Sequence, residues 1–377
     1  PPRSTLFPYT TLFRSHQSSR FSYINDENSN DIREILSSAS SALKLESDGD
    51  QDDAIAAMSS ALKSMEEKFG KENSGYAWLL AYKAFMQINA GDLAAAESLL
   101  NEAERVLRDL GELKSLHAAD WLNTKASLAS DKGDLETAIA LYQESLLLSS
   151  AVLGVNHADI RTITSNLADT YAQKGDLDVA IRTRQRAKEI GTTIFPPDVA
   201  ERINDCLVLA NYFSDAERHE EAFVERLEAF QMISARDYNP FPLAVTTQID
   251  LATSHYTLGQ SAVARYRLKK VKAALDEYDP STARLDDDYS QSIDVNLAYG
   301  NTFYMLGLVE QTVERNELAL DYFRQSIAKF ESAGSPYNIA LSATEAGHIA
   351  AKLENVIEAT RFYQTAIDIY KEQEGDD

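Results

Sequence analysis

The residue types that most often do chemistry are few and scattered in this chain. Its six histidines are His16, His117, His157, His219, His255 and His348. No H-E-x-x-H occurs, so no helix face carries two zinc ligands with a general base between them. His117 and His157 read as residues that open helices rather than as ligands. The single cysteine, Cys206, excludes an internal disulfide, and its apolar position reads as a buried thiol rather than a nucleophile. Asp286-Asp287-Asp288 could attract a cation, but it lacks the alternating ligands and glycine of a calcium loop and reads as a solvated acidic turn. No glycine-rich phosphate loop or serine–histidine–acid combination stands out. The expectation is a non-enzymatic chain without cofactor or metal.

Charge narrows the partners. The 377 residues carry 36 basic and 59 acidic side chains, a formal net charge of −23. A field of that sign disfavours nucleic-acid backbones, which need clustered Lys and Arg. Two basic stretches run against it, Arg182-Thr183-Arg184-Gln185-Arg186 and Arg265-Tyr266-Arg267-Leu268-Lys269-Lys270. Both read as solvated helix faces. No apolar run approaches the roughly 18 residues that would span a membrane, so neither nucleic acid nor membrane is an expected partner.

What the glycines do instead is recur. Gly91-Asp92-Leu93, Gly133-Asp134-Leu135 and Gly175-Asp176-Leu177 are 42 residues apart (133 − 91 and 175 − 133). A slot five residues on holds Ala54, Ala96, Ala138, Ala180, Ala222, Ala264, Ala319 and Ala359. A second slot, twelve residues before the first, holds Ala42, Ala84, Ala126, Ala168, Ala210, Ala252, Gly307 and Gly347. The step from Ala264 to Ala319 is 55 residues, an insertion of 13 (55 − 42). Apolar residues around the slots keep the helical period: Ile139, Tyr142 and Leu146, then Ile160, Ile163, Leu167 and Tyr171. Each unit therefore reads as two antiparallel helices, A then B. The glycine ends helix A in a conformation with φ > 0. The aspartate caps helix B, and the small residues sit where helices cross most closely. A period of this size marks a solenoid.

The best single copy is Asn166-Leu167-Ala168-Asp169-Thr170-Tyr171-Ala172-Gln173-Lys174-Gly175-Asp176, followed by Ala180 and Ala187. It resembles the tetratricopeptide repeat. The 42-residue period, with Leu153-Gly154-Val155-Asn156-His157 before helix A, is similar to the long-helix subtype of kinesin light chains. The resemblance covers about residues 31–372. It departs where Arg184 and Arg226 replace the aromatic of helix B, and where repeat seven lacks the turn glycine. It implies an all-α fold, a right-handed superhelical α-solenoid of about eight antiparallel helix pairs.

The resemblance also implies a groove lined by A-helix residues. At the matching offsets stand Asp120, Asn123 and Ser127 in repeat three, and Thr162, Ser165, Asn166 and Asp169 in repeat four. Asn204 and Asn211 follow in repeat five, Thr246 and Thr253 in repeat six. Asparagine both donates and accepts, so this stripe could hydrogen-bond the backbone of an extended peptide. The same residues could equally be a solvated helix face. The lysine and arginine pair that clamps a ligand carboxylate in chaperone-binding members is missing, which argues against a peptide ending in an acidic run.

The ends and the insertion set the expected organisation. Arg3–Ser15 resembles translated sequencing-adapter sequence, and the chain opens on Pro1. Residues 1–30 are expected to be a non-native or disordered lead-in, 31–278 repeats one to six, and 279–377 the insertion with repeats seven and eight, continuous with the array. The A helix after the insertion is expected to run from about Tyr289 to Gln311 and to be longer than its neighbours. The last helix, with Val356, Ile357, Phe362, Tyr363, Ile367 and Tyr370, is apolar on more than one face. It is expected to stay partly uncovered or to pair end to end with another copy.

Two functional readings follow. One is a cytoplasmic, non-catalytic scaffold that binds an extended peptide or partner protein. The alternative is the sensor or docking region of a larger signalling protein (kinase, protease or peptide-responsive regulator) whose effector domain is absent from this fragment.

Overall fold

The computed structural model describes residues 29–196, 200–235, 241–278 and 294–374. Arg3–Ser15 and Asp286-Asp287-Asp288 lie outside these residues. The described residues form sixteen helices and no strand. They are α1 (Ser29–Ser47), α2 (Gln51–Phe69), α3 (Ser74–Asn89), α4 (Leu93–Asp109), α5 (Leu116–Asp131), α6 (Leu135–Leu153), α7 (Ala158–Gln173) and α8 (Leu177–Ile194). Then follow α9 (Ala200–Asp215), α10 (His219–Ser234), α11 (Phe241–Thr257), α12 (Ser261–Asp276), α13 (Val295–Gln311), α14 (Asn316–Ser332), α15 (Pro336–Lys352) and α16 (Val356–Glu374). Odd-numbered helices are the A helices and even-numbered ones the B helices. The architecture is an α-solenoid of antiparallel pairs. Among the described residues no helix is long and apolar enough to cross a membrane.

The chain divides into two compact units, with the boundary between Asp205 and Cys206. In the first, α1 packs on α2, α3 on α4, α5 on α6 and α7 on α8, while α3 meets α5 across successive repeats. In the second, α11 packs on α12, α13 on α14 and α15 on α16, with α12 on α13 and α14 on α15 joining neighbours.

Periodicity explains each element. In α4 the buried side chains are Ala96, Leu100, Ala103, Val106 and Leu107, one stripe of a 3.6-residue helix. In α12 they are Ala264, Leu268, Val271 and Leu275. Each fully buried leucine contributes roughly 1.5–3 kcal/mol. Ala138, Ala180 and Ala222 are 0, 0 and 1% exposed, between helices as their size requires. Where the A-helix slot is glycine, a ring fills the space: a β-carbon at Gly347 would stand 2.7 Å from Tyr363.

The A-to-B turn is left-handed in every repeat, whether or not glycine occupies it. Gly49, Gly91, Gly133, Gly175 and Gly259 have φ between 73° and 90°, and Glu217, Glu314 and Glu354 adopt 59°, 57° and 59°. The reason is the hydrogen bond that closes the turn, from the next N–H to the carbonyl five residues back. Asp176 N–H donates to Tyr171 O at 2.9 Å, and Arg315 N–H to Glu310 O at 3.0 Å.

Three local expectations need correction. Asp92 and Asp134 cap their helices, accepting from Ala95 N–H and Thr137 N–H, but Asp50 and Asp176 make no side-chain cap; Asp176 instead lies 3.8 Å from Lys174 Nζ. Helix α13 starts at Val295 because Asp294 accepts from the N–H groups of Asn296 and Leu297. With 17 residues it matches α11 and α15. The basic stretches are not simply solvated faces. Arg184 is 3% exposed and ion-paired, and Arg265 holds the buried Glu310 at 2.6 Å. An arginine at the crossing position must carry its charge inward, and a carboxylate must meet it there.

Candidate functional site

Helices α5 and α7 bring the repeat-three and repeat-four polar residues together. Asn123 is 6% exposed, Ser127 7%, Thr162 4%, Ser165 5% and Asn166 2%. Asn166 Nδ2 donates to Asn123 Oδ1 at 3.2 Å, tying the two A helices. Ser127 Oγ shares a 2.9 Å hydrogen bond with Tyr142 OH on α6. Burial pushes the Tyr142 phenol well above its ordinary range, more than the Ser127 bond lowers it.

On the α7 face three buried polar atoms, Thr162 Oγ1, Ser165 Oγ and Asn166 Oδ1, have no hydrogen-bond partner among the described residues. Other helical hydroxyls nearby bond back along their own helix, Thr164 Oγ1 to Ile160 O at 2.6 Å and Thr170 Oγ1 to Asn166 O at 2.9 Å. A buried polar atom left unpaired costs about 1–3 kcal/mol. The placement of these three is therefore costly for the fold.

Beneath this face lies a buried ionic network that spacing alone did not reveal. Arg161 Nε and Nη2 donate to Asp205 Oδ2 and Oδ1 at 3.0 and 2.8 Å, and Nη2 also reaches Glu201 O at 3.0 Å. Arg184 Nη2 lies 3.1 Å from Asp205 Oδ1, and Arg184 Nη1 3.4 Å from Asp169 Oδ1. Asp169, placed in the groove by sequence, thus also anchors Arg184. Asp120 is half-buried on α5. The visible signal for the network was Arg184 standing where the repeat has an aromatic.

The other candidates sit differently. Asn204, in the first unit, is exposed. In the second unit Asn211 and Thr246 are exposed, and Thr253 bonds back to Ile249 O at 3.0 Å. Close by, Arg226 donates to Ser254 Oγ and Ser214 Oγ at 2.7 and 3.1 Å. Burial raises the pKa of Asp250, with Arg226 opposing it.

His157 opens α7, its Nδ1 accepting from Asp159 N–H at 3.1 Å. His117 lies in the first turn of α5, which Ser115 caps. Cys206 is fully buried, with carboxylate oxygens of Glu225 and Glu228 within 4.8 Å of its sulfur and of each other. Sequence spacing missed this grouping because it joins two helices. On α16, Val356 and Ile357 are 70 and 87% exposed, so that helix is partly uncovered.

Paired helices, small crossing residues and left-handed turns define an α-solenoid repeat. Residues 117–192 match the model of the tetratricopeptide repeat family. A comparison with curated proteins found no match. Among solved structures the chain is similar to BtubC (BKLC) from P. vanneervenii, with TM-score 0.51 and 19% identity, over 64% of this chain and 97% of that one. It is similar to the apo form of RapI, with TM-score 0.56 and 10% identity, over 79 and 99%. It is also similar to the apo form of the quorum sensor NprR from B. thuringiensis, with TM-score 0.53 and 14% identity, over 90 and 99%. At these identities the likeness is one of fold.

Proposed function

We propose that this chain is a non-catalytic protein-interaction scaffold and that the α5–α7 face binds an extended peptide through its backbone. The observation that carries this reading is the row Thr162 Oγ1, Ser165 Oγ and Asn166 Oδ1, buried and unpartnered beside the Asn166–Asn123 bond. An extended peptide presents alternating N–H and C=O groups. Asn166 can accept from the former and the two hydroxyls can donate to the latter. Backbone recognition of this kind tolerates many side chains, as suits a scaffold.

The test is a selection of random dodecapeptides on the full chain, followed by affinity measurement on Asn123→Ala/Asn166→Ala. A loss of at least tenfold, with the thermal midpoint little changed, is the expected result. If the double variant held every selected peptide as tightly as the parent chain, the α5–α7 face would not be the site.

A further inference from the structure

We propose that α16 is a self-association surface: two copies of this chain pair through it, antiparallel, about a two-fold axis near Tyr363. The pairing lies wholly within the second unit and is independent of the α5–α7 face.

Val356, Thr360, Tyr363, Ile367 and Tyr370 recur at i, i+4, i+7, i+11 and i+14 on α16, one helical stripe that carries no charge. Val356 and Thr360 are exposed, and Ile367 and Tyr370 are 45 and 36% exposed. With Ile357 beside them, α16 exposes more large apolar side chains than any other described helix. A row of this kind marks an interaction site.

The molecule covers the same stripe one repeat earlier. Forty residues upstream (356 − 316), α14 carries Asn316, Leu320, Phe323, Ile327 and Phe330. Leu320, Phe323 and Phe330 are buried, and Ile327 packs against the cluster that holds Ala340 and Ala343 of α15. There α15 stacks on α14, as α13 stacks on α12. The α16 stripe thus continues an established helix-to-helix interface. The surface that fits it is another helix with an uncharged, apolar stripe.

Helix α1 offers no such stripe. Its exposed side chains include Arg33, Glu34, Ser37, Ser41 and Lys44, while Ile32, Ile35, Leu36 and Leu43 are buried. Helix α16 of a second copy does offer one. Antiparallel pairing about Tyr363 sets Val356 opposite Tyr370 of the second copy, and Thr360 opposite Ile367. Each contact is made twice, as an isologous two-fold interface requires, and in each the smaller side chain faces the larger. Two copies of charge −23 repel at long range, but the stripe adds no repulsion of its own, and salt screens the rest. One helix pair is a small interface, so association in the micromolar range is expected.

Sedimentation velocity on the full chain across micromolar concentrations should show a monomer–dimer equilibrium that salt tightens. Ile367→Asp puts a charge into the stripe at a half-exposed position and should weaken the dimer at least tenfold. Thr360→Cys/Ile367→Cys tests the register and does not depend on the first variant's folding. Along one helix the two positions stand about 10 Å apart, too far for a disulfide; between antiparallel copies they are opposed. Cys206 is buried and does not compete. The double variant should oxidise to a covalent dimer. Neither single cysteine should, because each lies about 10 Å along the helix from its own counterpart. A monomer at every concentration, a dimer that Ile367→Asp leaves intact, or a single cysteine that cross-links as well as the pair would each overturn the proposal.

Discussion

A β-carbon placed on Gly307 would stand 2.6 Å from Cε1 of Phe323. The two residues come from opposite helices of repeat seven, and Phe323 is fully buried. Glycine on α13 is therefore the space that the ring on α14 occupies. Repeats with Met58, Leu100 or Leu268 at the ring's position carry alanine in the slot instead.

Gly307→Ala should accordingly lower stability by about 1–3 kcal/mol through overpacking. Adding Phe323→Leu should recover part of that loss, because the smaller side chain vacates the collision. Thermal unfolding of the two variants checks the coupling. Simple additivity of the two changes would show that the residues do not compete for the same volume.

The left-handed glutamates offer stability to be gained. Glu314 and Glu354 hold φ of 57° and 59° at turns that glycine occupies elsewhere. A left-handed residue with a β-carbon costs roughly 1–2 kcal/mol, and glycine's extra chain entropy offsets part of it. Glu314→Gly and Glu354→Gly should each raise the thermal midpoint. A fall in both would mean that their side chains stabilise the turns more than the backbone strain costs.

Asp205 holds two buried arginines, Arg161 and Arg184. Asp205→Asn keeps the shape but leaves that positive charge less compensated, and a cost of roughly 3–5 kcal/mol is expected. Hydrogen exchange should locate the loosening at α7 and α8. A variant as stable as the parent would remove the network from the account of this unit's stability.

Glu46 supplies a pH dependence. Its half-buried carboxyl accepts from Asn89 Nδ2, and burial raises its pKa from 4.5 to about 7 despite that bond. The folded state thus holds the proton more tightly than the unfolded chain, and the resulting stability is complete below about pH 4.5 and lost as pH rises through 7. Allowing for its partial exposure, the effect is on the order of 1–2 kcal/mol. Glu46→Gln should flatten the parent's decline between pH 5 and 8 and be the more stable protein at pH 8. Identical pH profiles for the two would contradict the assignment.

The repeat architecture could be read from the chain because its causes are local. Helical periodicity places the apolar stripe, a small residue marks each close crossing, and the turn closes within six residues. Even Glu217, Glu314 and Glu354 take the conformation that the period demands of their position. Long-range partners could not be read in that way. Arg161 meets Asp205 across 44 residues, and Asn166 meets Asn123 across 43. Nothing in the spacing separates Ser165, buried and unpartnered, from Asn211, which is exposed. Whether a polar side chain on an A helix reaches water, a neighbour or neither depends on how adjacent repeats stack, and stacking is set by the summed fit of many side chains rather than by any one position.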